Sequence, residues 1–335
     1  MQAKAYILAV SLSFAMLSAA QAQRILGPMP SEPAPMRAAT PPAAAPAIMP
    51  PPAAATAPVK TAGCSNPNAL GVARTVEIDT TGGPAFGFEH FKIYDFLRPG
   101  EVVLTFDDGP WPTTNIVLEA LARECVKAIF FSVGFNAMAY PEILKKVAAA
   151  GHSIGSHTWS HQDLTKTRGS MAIGNGKREV RDYEPKDEIE KGMSAVKIAI
   201  GDAGQATPFF RFPQLKQPPE LMAYLGQRNV AVFSTDMDSF DFKYRKPEQV
   251  VKSTMDKLKK HGKGIVLLHD VHSWTAHAVQ GILAEMKANG FKVVHMKAKE
   301  PLTTLVEYDQ AIMKDMNPLA MTARPMSSVI RTVGE

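Results

Sequence analysis

From residue 102 onward, short apolar runs alternate with longer amphipathic ones. The runs at 102–106, 128–133, 153–156, 208–211, 229–234, 264–268 and 291–294 have strand length. They are apolar enough for strands buried on both faces. Between them, segments 114–124, 140–150, 186–200, 218–227, 247–261 and 276–289 repeat apolar residues at helical spacing. Asp187, Glu188 and Glu248 fall in first turns, and Gly151, Gly262 and Gly290 follow last turns, as helix-end chemistry requires. Strand and helix in alternation predict a parallel sheet with crossover helices, either closed as a barrel or open and doubly wound.

Ahead of that alternation the pattern is different. Lys4 is the only charge before Arg24, Ala5 to Leu17 is apolar, and Ala20-Gln21-Ala22 offers a small-x-small cleavage site. Residues 1–22 therefore read as a secretory signal, too short in its apolar part to span a bilayer comfortably. Residues 28–59 hold 11 of the 26 prolines, interleaved with alanine. Such a stretch favours extended polyproline II, so residues 23–63 read as a tether. The remainder divides into an extension at 64–99 packed on the barrel, one catalytic domain at 100–300, and a C-terminal extension at 301–335. The mature protein is expected in the periplasm or the medium, with no stable membrane insertion.

Composition narrows the partners. The net charge of +5 is spread along the chain, and no dense Lys/Arg block interleaved with aromatics appears, so nucleic acid is not an expected ligand. Only Cys64 and Cys125 are present, and in an oxidising compartment they are expected to pair. Residues 165–186, rich in Gly, Lys and Arg, read as a surface insertion bordering the substrate groove.

The candidate chemistry sits at strand ends. Thr105-Phe106-Asp107-Asp108-Gly109-Pro110 closes the first apolar run, and Gly-Pro marks a tight turn. Two adjacent carboxylates there can divide their labour, one holding a metal and the other taking a proton. His157-Thr158-Trp159-Ser160-His161 follows the third strand and supplies two imidazoles. One Asp and two His leave coordination positions open, as a catalytic metal site needs. Arg211 ends the fourth strand, Asp236 to Asp241 follow the fifth, and His269 ends the sixth. Converging loops at one rim are how a β/α barrel builds a site.

Over residues 100–297 these motifs, in this order, resemble the polysaccharide deacetylase family (carbohydrate esterase family 4, with the NodB homology domain). Its first motif stands intact at 105–110. The second, His-Ser/Thr-x-x-His, is His157 to His161; the third begins Arg211-Phe212-Pro213. The fourth, Asp-x-x-Asp-Trp, is Asp238-Ser239-Phe240-Asp241-Phe242, and the fifth is Leu267-Leu268-His269. The resemblance implies an α/β fold, a distorted (β/α)7 barrel, and hydrolysis of N-acetyl (or O-acetyl) groups on a β-linked polysaccharide or oligosaccharide. It implies one divalent metal, zinc first and cobalt or nickel as alternatives, on Asp108, His157 and His161. Asp107 would be the base, oriented by Arg211, and His269 the acid. Asp241 would support His269, with Asp236 and Asp238 as competitors. Gln214 would offer a backbone donor to the oxyanion and Leu267 a wall for the acetyl methyl. Trp274 would stack on a sugar face or pack on the rim. His152 is left outside the metal site.

Two positions depart from the family pattern. Pro213-Gln214-Leu215 replaces Pro-Tyr-Gly, and Phe242 replaces Trp. Rival classes are a glycan-binding protein without activity and a metal-dependent phosphoesterase. The former does not need both a base and an acid, and the latter favours two metals and cationic phosphate clamps.

Overall fold

The computed structural model describes residues 64–172 and 177–316; the expected signal, the tether and residues 317–335 lie outside them. The elements run β1 (Val72–Ile78), β2 (Ala85–Phe86), β3 (Glu101–Asp107), α1 (Thr114–Arg123), β4 (Ile129–Ser132), α2 (Gly134–Ala139), α3 (Pro141–Ala149) and β5 (Ser153–Ser156). A hairpin follows, β6 (Arg168–Ala172) and β7 (Arg178–Asp182), then α4 (Pro185–Ile200), β8 (Phe209–Phe210), α5 (Pro219–Gln227), β9 (Ala231–Phe233) and β10 (Met237–Asp238). The chain continues through α6 (Pro247–His261), β11 (Gly264–His269), α7 (Ser273–Ala288), β12 (Lys292–Ala298) and α8 (Val306–Met316).

The large sheet is parallel throughout. β3 pairs with β4, β4 with β5, β5 with β8 and β8 with β9. The chain passes from β9 into β10, which pairs with β11, and β11 returns to β3. That route closes the ring, and β12 joins at the start of β3. The seven expected strands are thus β3, β4, β5, β8, β9, β11 and β12, arranged as a distorted (β/α)7 barrel.

Alternation along β3 explains how the rim acquires its chemistry. Val102, Leu104 and Phe106 join the apolar layer shared with the helices. Val103 belongs to a second cluster with Ile129, Phe131, Phe209, Phe233 and Ile265, inside the ring. Side chains two apart share a face of a strand, so Thr105 and Asp107 follow Val103 inward. Phe209 and Phe233 pack with centroids 4.8 Å apart, and each such buried ring contributes about 1.5–3 kcal/mol. Gly155 is required where β5 passes them, because a Cβ there would stand 2.5 Å from the Phe209 carbonyl oxygen.

The helices form for local reasons as well. α6 has Pro247 in its first turn with Glu248, basic Lys259, Lys260 and His261 in its last, and Gly262 at φ 77° as its cap. Several elements carried no clear signal. β1 pairs with β12 and β2 with β9, so the 64–99 extension contributes strands to the sheet. All five residues of β7 are exposed, which leaves no apolar alternation to betray a strand. α7 begins at Ser273, three residues before the expected start.

Cys64 and Cys125 form a disulfide with Cα atoms 5.8 Å apart. Closing a loop of 61 residues is worth about 4 kcal/mol in the chain-entropy account. No helix among the described residues is long and apolar enough to cross a membrane.

Candidate active site and metal centre

The C-terminal ends of β3, β5, β8 and β11 and the loop after β10 meet around a cavity of about 430 Å3. Asp107, Asp108, His157, His161, Gln214, Leu267 and His269 line it, together with Asp238, Phe242 and His272. The motif loops are held in costly backbone conformations. Six of the ten non-glycine residues with positive φ among those described belong to them: Asp108, Thr158, His161, Gln214, Leu215 and Phe240. Strain of this kind gathers where surrounding structure dictates a geometry.

On one flank, Arg211 donates from Nη1 to Asp107 Oδ1 and to Thr105 Oγ1, each at 2.7 Å. Its Nη2 donates to the Ser234 carbonyl at 2.7 Å, and its plane lies 4.3 Å from the Phe131 ring centroid. The guanidinium is completely buried, and these partners supply what a buried cation requires.

Beside it, Asp108 Oδ1 lies 3.5 Å from His157 Nε2 and 3.3 Å from His161 Nε2. The ligating atoms of the three residues all fall within 4.8 Å of one another. His157 Nδ1 donates to the Arg211 carbonyl at 2.7 Å, which leaves the Nε2 lone pair aimed at the cluster. Burial drives the His157 pKa down to about 4 against the pull of Asp107, so the ring is neutral at neutral pH. Burial resists ionisation of Asp108, but His161, His269 and His157 outweigh it and hold its pKa below the ordinary value. The Asp108 Oδ1 atom is buried with no hydrogen-bond partner. An orphaned carboxylate oxygen facing two imidazole nitrogens fits a single divalent cation, which would be held by Asp108, His157 and His161.

The two histidines meet across a turn, not along a helix. Glu188 of α4 accepts from Ser160 N at 2.8 Å and Ser160 Oγ at 2.9 Å, while its carbonyl accepts from Trp159 N. That clamp folds His161 back over His157.

The second support lies on the neighbouring strand, where His269 ends β11 in register with Asp107 of β3. Asp241, fully buried, takes His269 Nδ1 on Oδ1 at 2.7 Å and the His269 backbone N–H on Oδ2 at 2.7 Å. Thr275 Oγ1 donates to Oδ2 at 2.8 Å. Burial disfavours the imidazolium, yet the Asp241 bond and charge, with Asp108 and Asp107 behind, lift the His269 pKa to about 10. Asp236 instead accepts backbone N–H groups of Phe88 and Ile265, and Asp238 that of Phe240. Of the three competing aspartates, only Asp241 reaches His269.

The remaining expected residues divide. Gln214 and Leu267 line the cavity. Trp274 is not among its lining residues: its indole donates to the Asp241 carbonyl at 2.9 Å and its ring stacks on His272 at 4.7 Å. His152 accepts from Ala128 N, away from the triad. Thr105, Thr275 and Glu188 went unassigned from sequence. Thr105 opens the first motif, Glu188 read only as a first-turn helix acid, and Thr275 carried no signal in isolation.

Residues 97–232 match the family model described as polysaccharide deacetylase. Peptidoglycan-N-acetylglucosamine deacetylase PgdA of Listeria monocytogenes is 30% identical over 200 residues, 58% of this chain and 37% of that protein. A chitin deacetylase of Colletotrichum lindemuthianum is 28% identical over 215 residues, 60% of this chain and 80% of that one. Among solved structures, a peptidoglycan deacetylase of Bdellovibrio bacteriovorus aligns with a TM-score of 0.57 and 30% identity, covering 68% of this chain and 59% of that one. The chain thus spans little more than a third of the Listeria protein. Residues 97–232, which hold the first three motifs, are similar to the polysaccharide deacetylase family, and the barrel rim brings residues of the motifs at 238–242 and 267–269 to the same cavity.

Proposed function

We propose that the protein is a metal-dependent deacetylase that removes N-acetyl groups from a β-linked glycan. The observation that carries this reading is the convergence of three groups at one cavity: the Asp108–His157–His161 cluster, the Arg211-held Asp107, and the Asp241-held His269. A divalent ion held by the cluster, zinc first, would polarise the acetyl carbonyl and acidify water. Asp107 takes the proton from the attacking water, its orientation set by Arg211. His269, protonated through its contact with Asp241, gives a proton to the departing amine nitrogen. Leu267 offers an apolar wall beside the acetyl methyl, and Gln214 occupies the loop from which a backbone N–H would meet the oxyanion.

Export fits the same reading. The Cys64–Cys125 disulfide suits an oxidising compartment, and the relatives' names point to cell-wall and chitin substrates. Acetate release from acetylated chitooligomers and from peptidoglycan strands by zinc-loaded protein tests the proposal, with chelation expected to abolish it. Hydrolysis of a generic phosphoester with no acetate release would favour the phosphoesterase instead.

A further inference from the structure

A wider groove, of about 730 Å3, continues from Asp108 and His161 along the rim. Trp111, Phe135 and Trp159 line it, and so do two residues of the inserted hairpin, Arg178 and Arg181. Trp111 and Phe135 are 40% and 42% exposed, a poor use of aromatic surface unless something covers it. Their rings are braced: Phe135 packs edge-on to Trp159 at 6.0 Å, and Trp111 edge-on to Tyr140 at 5.1 Å. Fixed aromatic faces beside polar groups suit the C–H faces of pyranose rings, which are apolar while their edges are not.

The hairpin adds charge that the barrel does not need. Residues 165–186 hold six basic residues against three acidic ones, a net of +3 in a chain whose total is +5. Arg178 is steadied by donating to the Ser170 carbonyl at 2.6 Å and Ser170 Oγ at 3.0 Å. Arg181 Nε and Nη2 both donate to Glu179 Oε2, an exposed pair that solvent screens. Neither contact uses the full fork of five N–H donors, and a guanidinium fork matches a carboxylate.

We propose that this groove is a subsite for a carboxylate-bearing residue next to the acetylated sugar, so that the preferred substrate is an acidic glycan and not a neutral chitin-like one. Arg178 and Arg181 read the carboxylate, while the aromatic faces hold the sugar rings. The substrate part of this inference rests on the deacetylase reading; the binding part does not. A carboxylate on the sugar itself and one on an attached peptide share the same chemistry.

The test compares kcat/KM of zinc-loaded full-length protein on tetrasaccharides of equal length. One is neutral N-acetylglucosamine, one alternates it with N-acetylmuramic acid, and one also carries peptides. The Arg178→Gln/Arg181→Gln double variant should lose about tenfold or more on carboxylate-bearing strands, chiefly in KM, and far less on the neutral one. Added salt should erode the wild-type preference. Response by the peptide-bearing strand alone would assign the carboxylate to the peptide. Equal wild-type efficiency on neutral and acidic strands, or equal losses on both in the variant, overturns the proposal. If wild-type protein deacetylates none of them, the deacetylase reading fails, and calorimetric binding decides the subsite. Tighter binding of the acidic strand that the double variant loses supports the subsite, and indifference to charge refutes it.

Discussion

The two flanks of the cavity are built from the same kinds of group in opposite order. On one, a carboxylate, Asp107, faces the cavity and a cation, Arg211, holds it. On the other, an imidazole, His269, faces the cavity and a carboxylate, Asp241, holds it. Both supporting groups are completely buried. The difference lies in what each support controls. Arg211 is bonded to Thr105 and Ser234 as well as to Asp107, so it acts by position. Asp241 sets the protonation of its partner, so its influence is readable in pH. One flank is a matter of geometry, the other of proton affinity.

The largest expected effect separates Asp107 from its neighbour Asp108. Asp107→Asn keeps the size and removes the proton acceptor, so acetate release should fall about 10²–10⁴-fold with metal content unchanged. Asp108→Asn should lose metal first, because a neutral amide oxygen is a poorer ligand. Metal analysis beside turnover distinguishes them, and wild-type turnover in Asp107→Asn would falsify the assignment of the base.

Next comes Arg211→Met, which strips the buried Asp107 of its cation. Removing one partner of a buried pair costs about 3–5 kcal/mol, read as a lower midpoint in urea or heat. Stability within error of wild type would show that Thr105, Ser234 and the backbone do not need that charge.

Asp241→Asn probes the other flank. Activity should fall about ten- to a hundredfold, as for other groups that orient a reacting imidazole. The basic limb of the pH–rate profile should also move down toward an ordinary histidine. The sign follows from the raised pKa: a folded value of about 10 above an unfolded 6.5 gives stability fully present below 6.5 and lost as pH rises through 10. The stability gap between wild type and Asp241→Asn should therefore narrow over that window. A gap that stays constant with pH would reduce Asp241 to a packing role.

The smallest effect concerns the loop that joins the flanks. Leu215 sits at φ 56°, a left-handed conformation that costs a side-chain-bearing residue about 1–2 kcal/mol. The family's glycine at this position would relieve that strain. Leu215→Gly should therefore raise stability by up to about 1 kcal/mol, after the glycine's own entropy is counted. A loss of stability would mean that Leu215 packing against the cavity outweighs the strain.

The departure at Leu215 was visible in the sequence, but its consequence was not. The loop keeps a glycine-like backbone without the glycine. The hairpin at 165–186 was legible as an insertion, because a run of Gly, Lys and Arg interrupts the alternation. Its strands were not, because an exposed antiparallel pair needs no apolar face to announce it.

The sequence by itself determined the seven barrel strands, their crossover helices and the five motifs at the strand ends. Strands buried on both faces must be apolar runs, and the reactive groups declare themselves by residue type over short spacings. Only the tertiary structure decided which aspartate supports His269. Asp236, Asp238 and Asp241 are equivalent in chemistry, and the choice depends on the 28-residue excursion that brings Asp241 beneath β11. The same holds for the Glu188 clamp on Ser160, the Arg211 carbonyl that fixes His157, and the pairing of β1 with β12. Each joins groups far apart in the chain, and the energy of such a contact exists only once the barrel has closed.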